Sequence, residues 1–164
     1  MRGSKRWGDE ERVLAAATRY ARTGVRSTHE VLTFLRQRGV SPAAARRAVA
    51  ACQARGALDD LACARLWADH LARKGYAWSV IHLKLSAKGL DEHTIEEAAD
   101  RLDAARDDDA RARVVAASYL RRQGTSPRHR AGAARTLASR GFDPDLIERV
   151  LDDTVGPIPS DAER

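Results

Sequence analysis

No apolar stretch in the sequence approaches the roughly 20 residues that a membrane-spanning helix requires. The basic start, Met1-Arg2-Gly3-Ser4-Lys5-Arg6, is not followed by the apolar core of a signal peptide, so the chain is expected to be cytoplasmic. Aromatic residues are scarce, at 5%. A core must therefore come from Leu, Val, Ile and abundant Ala, whose helices approach closely but bury little area each. That predicts small units of modest stability. The two cysteines, Cys52 and Cys63, sit in Ala-rich helical contexts and read as structural thiols rather than a disulfide or a metal site.

Catalytic signatures are also missing. His29, His70, His82, His93 and His129 are scattered, and no pair has HExxH spacing. The sequence has no GxxxxGK[ST] phosphate loop, no GxGxxG turn and no GxSxG elbow. Each histidine reads as a surface or packing residue. The expectation is a non-enzymatic monomer with no cofactor, no metal, no small-molecule substrate and no membrane contact.

What is present is a balance of 43% hydrophobic and 32% charged residues, enough for folding. The net charge is +6 and the pI about 9.9, which suit a polyanion or an acidic protein surface as partner. One pattern also occurs three times. It runs Arg22-Thr23-Gly24, Val31, Leu35, Arg38-Gly39-Val40-Ser41-Pro42; then Arg73-Lys74-Gly75, Ile81, Leu85, Lys88-Gly89-Leu90-Asp91-Glu92; then Arg122-Gln123-Gly124, Ala133, Leu137, Arg140-Gly141-Phe142-Asp143-Pro144. Aligned on Gly39, Gly89 and Gly141, the period is about 50 residues. Ala45, Ile95 and Ile147 follow in register, and Tyr20, Leu71 and Leu120 precede the first glycine of each set. These steps mark one helical face. Each second glycine reads as a helix end, the next apolar residue as its cover, and Ser41, Asp91 or Asp143 as an N-cap. Pro42 and Pro144 fall at the first helical position, where proline is tolerated.

The fold class that follows is all-α, with three tandem three-helix, helix-turn-helix-like repeats forming an elongated array and no strands. Helices are expected at 9–22, 27–38, 42–55, 60–73, 77–88, 92–105, 108–122, 127–140 and 144–153. The division is a basic tail at 1–8, repeats at 9–57, 58–106 and 107–154, and a flexible tail at 155–164. Asp107-Asp108-Asp109 reads as a helix start, where acids oppose the positive end of the dipole.

Charge alternates along the chain. Residues 111–142 carry arginines and no acid, whereas 91–110 are rich in Asp and Glu. A helix-turn-helix would place its third helix in the DNA major groove. Here the third helices of the last two repeats hold Asp91, Glu92, Glu96 and Glu97, and Asp143, Asp145 and Glu148, which repel phosphate. A sequence-reading transcription regulator is therefore the alternative rather than the main reading. The partner- or DNA-binding candidates are Arg26, Arg36, Arg46, Arg47, Arg73, Lys74, Tyr76, Trp78, His82, Lys84, Lys88, Arg121, Arg122, Arg128 and Arg130. Trp7, Trp67 and Trp78 could stack on bases, although Trp67 shares an apolar face with Leu71, and Trp78 beside Tyr76 fits a partner contact and local packing equally.

Arg26-Ser27-Thr28-His29-Glu30-Val31, Leu58-Asp59-Asp60-Leu61-Ala62, Lys74-Gly75-Tyr76 with Ile81, Leu85 and Lys88-Gly89-Leu90, and Arg140-Gly141-Phe142 with Ile147 and Val150 together resemble the RecX family over residues 12–153. Lys84 and Cys63 depart from the family pattern, where an acid and an aromatic are usual. The resemblance implies a helical protein that lies in the groove of the filament formed by RecA recombinase on single-stranded DNA. There it limits filament growth, ATP hydrolysis, strand exchange and co-protease activity, with non-specific contact to duplex DNA as a further expectation.

Overall fold

The computed structural model describes residues 10–100 and 107–155. Trp7, the N-terminal tail, the expected end of the sixth helix and the C-terminal tail beyond Val155 lie outside them, while Val155 itself closes the last helix. Among the described residues there are nine helices and no strand, as the repeat pattern predicts: α1 (Glu10–Ala21), α2 (Thr28–Gln37), α3 (Pro42–Ala54), α4 (Asp60–Arg73), α5 (Trp78–Ala87), α6 (Glu92–Asp100), α7 (Asp108–Gln123), α8 (Pro127–Ser139) and α9 (Pro144–Val155).

The aligned positions form the core. Val31, Leu35 and Ala45, Ile81, Leu85 and Ile95, and Ala133, Leu137 and Ile147 are all buried. Each second helix ends in the same glycine turn. Gly39, Gly89 and Gly141 have φ of 79°, 75° and 86°, a region that side chains resist. The following N–H, of Val40, Leu90 or Phe142, reaches back to the carbonyl of Leu35, Leu85 or Leu137 at 3.2, 3.4 and 3.3 Å. This is the hydrogen bond of a Schellman ending, and the apolar side chain that comes with it is buried. Ser41 Oγ, the Asp91 carboxylate and the Asp143 carboxylate then accept from Ala44, Thr94 and Asp145 N–H and open the next helix.

Contacts divide the described residues into two compact units, 10–67 with 84–100, and 68–83 with 107–155. The middle three helices are thus shared out between the two. The first unit joins α1–α3 to the start of α4, the end of α5 and α6. Its joint is specific. Asp59 accepts from Ala62 N–H at 2.9 Å and caps its own helix α4, while its neighbour Asp60 accepts from the Thr28 N–H at 2.7 Å and caps α2. Ser27 is fully buried at the start of α2 and uses both halves of its hydroxyl. The oxygen accepts from Glu30 N–H at 3.1 Å, and the O–H donates to the Lys88 carbonyl at 2.5 Å. The Glu30 carboxylate accepts the Ser27 N–H at 2.9 Å, which completes a capping box.

The second unit repeats the joint with other side chains. Asp107 accepts from Ala110 N–H at 2.8 Å and caps α7, and Asp108 accepts from Trp78 N–H at 2.8 Å and caps α5. Ala77 N–H donates to the Arg140 carbonyl at 2.9 Å, in the place of the bond from Ser27 to Lys88. The third repeat differs at this position. Its second helix begins a turn earlier, so Arg130, which stands where Thr28 and Trp78 stand, gives its N–H to the carbonyl of Ser126, the N-cap of α8, at 2.9 Å.

The glycines of the joints carry a second constraint. A Cβ on Gly89 would run into the His29 ring, and one on Gly141 into Val80, whereas Gly39 faces open space. The expected outcome is that Gly39→Ala costs about 1–2 kcal/mol from its φ alone, while Gly89→Ala, at nearly the same φ, costs measurably more. Equal midpoint shifts for the two variants in urea unfolding would show that the His29 contact contributes nothing.

Candidate functional site

Helix α4 ends because Gly75 takes φ 78°, with Tyr76 N–H bonded back to the Leu71 carbonyl at 3.2 Å. Gly75 is buried, and a Cβ there would strike Val115 of α7 and the Arg140 guanidinium after α8. This close approach brings the last turn of α4 against α7 and the end of α8. A groove of ≈ 580 Å³ opens there, within the second unit. Arg73, Lys74, Arg111, Arg122 and Arg140 line it, and Asp107 is the sole acid among its lining residues.

The five cations are not equivalent. Arg111 is only 8% exposed and its guanidinium is bonded to Asp108. Arg73 is exposed and bonded to Asp69 one turn earlier. Lys74 and Arg122 are exposed, with no ion pair among the described residues. Asp107 is occupied by its cap on Ala110. The groove can hold an extended anion through several separated charges.

Of the residues read from the sequence, the groove gathers Arg73, Lys74 and Arg122. Arg36, Arg46, Lys84, Arg121 and Arg128 are exposed elsewhere on their units. Others are engaged within the fold. Lys88, with a side chain 16% exposed, binds both Glu30 oxygens at 2.9 Å and lies over the Trp67 ring, 4.4 Å from its centre. Arg26 lies over Tyr20 at 4.7 Å and within 3.5 Å of Glu30. Arg47 pairs with Glu10 at 2.7 Å. Arg130 is buried against Asp152. Tyr76, Trp78 and His82 are half-buried, with the Trp78 ring edge-on to His82 at 6.3 Å.

Sequence reasoning did not pick out Arg111 and Arg140 in the groove, nor a second basic groove of ≈ 640 Å³ on the first unit, lined by Arg19, Arg22 and Arg55 with Glu11. The signal for the second groove was in the repeat. Arg22 and Arg73 occupy the same place, two residues before the first glycine of their sets, and each lines a groove. Both cysteines are free and buried, and burial pushes the Cys63 thiol up to about 11.

The comparisons bear out the resemblance read from the sequence. The family model for RecX, second three-helix domain, matches residues 59–98. A solved structure of RecX from Lactobacillus salivarius superposes with a TM-score of 0.70 at 20% identity, covering 88% of this chain and 95% of that one. A second, described as regulatory protein RecX, superposes with a TM-score of 0.67 at 17% identity over 87% of this chain and 71% of that one. No curated protein matches the chain. The fold is that of the RecX structures, all-helical with no strand among the described residues.

Glu30 predicts a pH dependence. Burial pushes its carboxyl up, but the Ser27 N–H, the Lys88 ammonium and Arg26 outweigh burial and hold it below its ordinary value of 4.5. A carboxylate lowered in the folded state adds stability that is complete above the unfolded value and disappears as pH falls through the folded one. Lys88→Met is therefore expected to destabilise the protein at neutral pH and to flatten the loss of stability below about pH 4.5. Parallel stability curves for the variant and the parent between pH 6 and pH 3, roughly the window set by that carboxyl, would show that the pair is not responsible.

Proposed function

We propose that this chain, RecX-like in its fold and in the family-model match of its middle helices, is a non-enzymatic regulator of homologous recombination and DNA repair. It binds in the groove of the RecA filament on single-stranded DNA and limits its growth, and so lowers ATP hydrolysis, strand exchange and co-protease activity. The observation that carries this reading is the basic groove of the second unit, formed on a RecX fold with Lys74 and Arg122 exposed in its lining. Arg36, Arg46 and Lys84 on the first unit, and Arg121 and Arg128 on the second, are further exposed cations that this reading assigns to the same partner. Lys88, Arg26 and Arg130 serve it indirectly, by holding the scaffold. The chain acts as a monomer in the cytoplasm; no helix among the described residues is long and apolar enough to cross a membrane.

A helix-turn-helix regulator would need a cationic third helix in each repeat. Instead α9 exposes Asp145 and Glu148, and on α6 Glu97 is 3.6 Å from Arg65. Binding to DNA alone is accordingly expected to be salt-sensitive and blind to sequence.

The test is DNA-dependent ATP hydrolysis by RecA with the chain added at up to equal ratio. The expected result is inhibition, and an unchanged rate across the range would reject the proposal. Lys74→Glu with Arg122→Glu, both on exposed side chains, should raise the concentration needed for half-inhibition by about tenfold or more, the equivalent of about 1.4 kcal/mol. Full potency in that double variant would remove the groove from the account.

A further inference from the structure

A ring of arginines and lysines does not by itself distinguish phosphodiesters from carboxylates. The residue at the centre of the question is Val114. It lies on α7 in the lining of the second unit's basic groove, in the company of Arg73, Lys74 and Arg122, and it is 70% exposed. It belongs to a small set of large apolar side chains left in water among the described residues, with Val25, Leu66 and Leu83. Val114 stands six residues after Asp108, the aspartate that caps α5. Leu66, 56% exposed, stands six residues after Asp60, the aspartate that caps α2. The same register on the first helix of two consecutive repeats therefore presents an apolar side chain to solvent. In α1 the match of Ala17 to Ala68 and of Tyr20 to Leu71 puts the small, exposed Ala15 in the place of Leu66, so a large apolar side chain there belongs to the second and third repeats.

An exposed valine among cations adds nothing to the binding of a phosphate backbone, whose affinity comes from charge and counterion release. It does suit a protein segment. Protein interfaces bury an apolar centre inside a polar rim. Charge complementarity fixes the sign of that surround: the groove offers cations against Asp107 alone, and Asp107 is already bonded to Ala110. We infer that the groove around Val114 is a docking seat for an acidic protein segment that lays one apolar side chain on Val114 between carboxylates held by Lys74, Arg73 and Arg122. The inference rests on the regulator reading above and narrows it. The second unit's groove meets the protein component of the filament, and nucleic acid is met by other basic residues.

The test uses two labelled synthetic peptides and a labelled single-stranded oligothymidylate at physiological salt, with binding followed by fluorescence anisotropy. One peptide is acidic with a central leucine, and the other has serine in place of that leucine. Val114→Asn is the chosen variant because the side chain is largely in water and its loss leaves the core untouched; circular dichroism checks the fold. The leucine peptide is expected to bind at least about fivefold more tightly than the serine peptide. Val114→Asn should erase that difference while changing oligothymidylate affinity by less than about twofold. Equal binding of the two peptides, no binding of either, or a loss of oligothymidylate affinity in Val114→Asn equal to that of the peptide would overturn the inference, and the last result would assign the groove to nucleic acid. Filament ATPase separates the two readings. If the parent chain inhibits RecA and Val114→Asn inhibits it equally, the docking seat is wrong and the regulator stands. If the parent chain leaves the filament unaffected, the regulator reading fails whatever the peptides do.

Discussion

Two neighbouring aspartates with different tasks hold this protein in register. In Leu58-Asp59-Asp60 the first acid caps the helix it begins and the second caps the second helix of the preceding repeat. Asp107 and Asp108 do the same one repeat later. The first N–H groups of a helix have no partner of their own. Satisfying one of them with a carboxylate from the next repeat makes the local end of a helix depend on the arrival of its neighbour. Alanine-rich cores bury little area per residue and so define position weakly. Directional bonds at the joints supply what such packing lacks: Ser27 to the Lys88 carbonyl in one unit, and the Ala77 N–H to the Arg140 carbonyl in the other.

The joints also decide which cations are tied into the fold. Lys88 is fixed between the Glu30 carboxylate and the Trp67 ring, and Arg130 is held by Asp152. Gly75 acts in the opposite sense. By letting the end of α4 approach Val115 and Arg140, it delivers Arg73 and Lys74 to a groove that already contains Arg122. Several residues that carry the RecX resemblance, Ser27, Glu30, Asp59, Asp60, Lys88 and Gly89, are joint residues. Their pattern therefore speaks for the fold. The groove residues Val114 and Arg122 lie outside those motifs.

The helices and their ends were legible because their causes are local. Glycine at a positive φ, an apolar cover and an Asp or Ser cap follow one another within a few residues at Gly39, Gly89 and Gly141. The start of α7 at the Asp107-Asp108-Asp109 run was legible for the same reason. The fate of each cation was not, because it depends on partners far away in sequence: Lys88 finds Glu30 across 58 positions and Arg130 finds Asp152 across 22. Arg140 stood in the sequence only as part of the third repeat's Arg140-Gly141-Phe142 pattern, and the close packing of Gly75 places it in the groove. The double role of the aspartate pairs was equally hidden. Periodicity shows that a helix begins there, while the second acid's target, Thr28 or Trp78, lies on the preceding repeat.

Amide hydrogen exchange at Thr28 and Trp78, measured in Asp60→Ala and in Asp108→Ala, tests the joint most directly. A lost cap of this kind costs about 0.5–2 kcal/mol. Asp60→Ala should speed exchange of the Thr28 amide and leave the Trp78 amide protected, and Asp108→Ala should do the reverse. Unchanged exchange at the capped amide in both variants, or the same loss at both amides in each, would contradict a fold held together by paired aspartates.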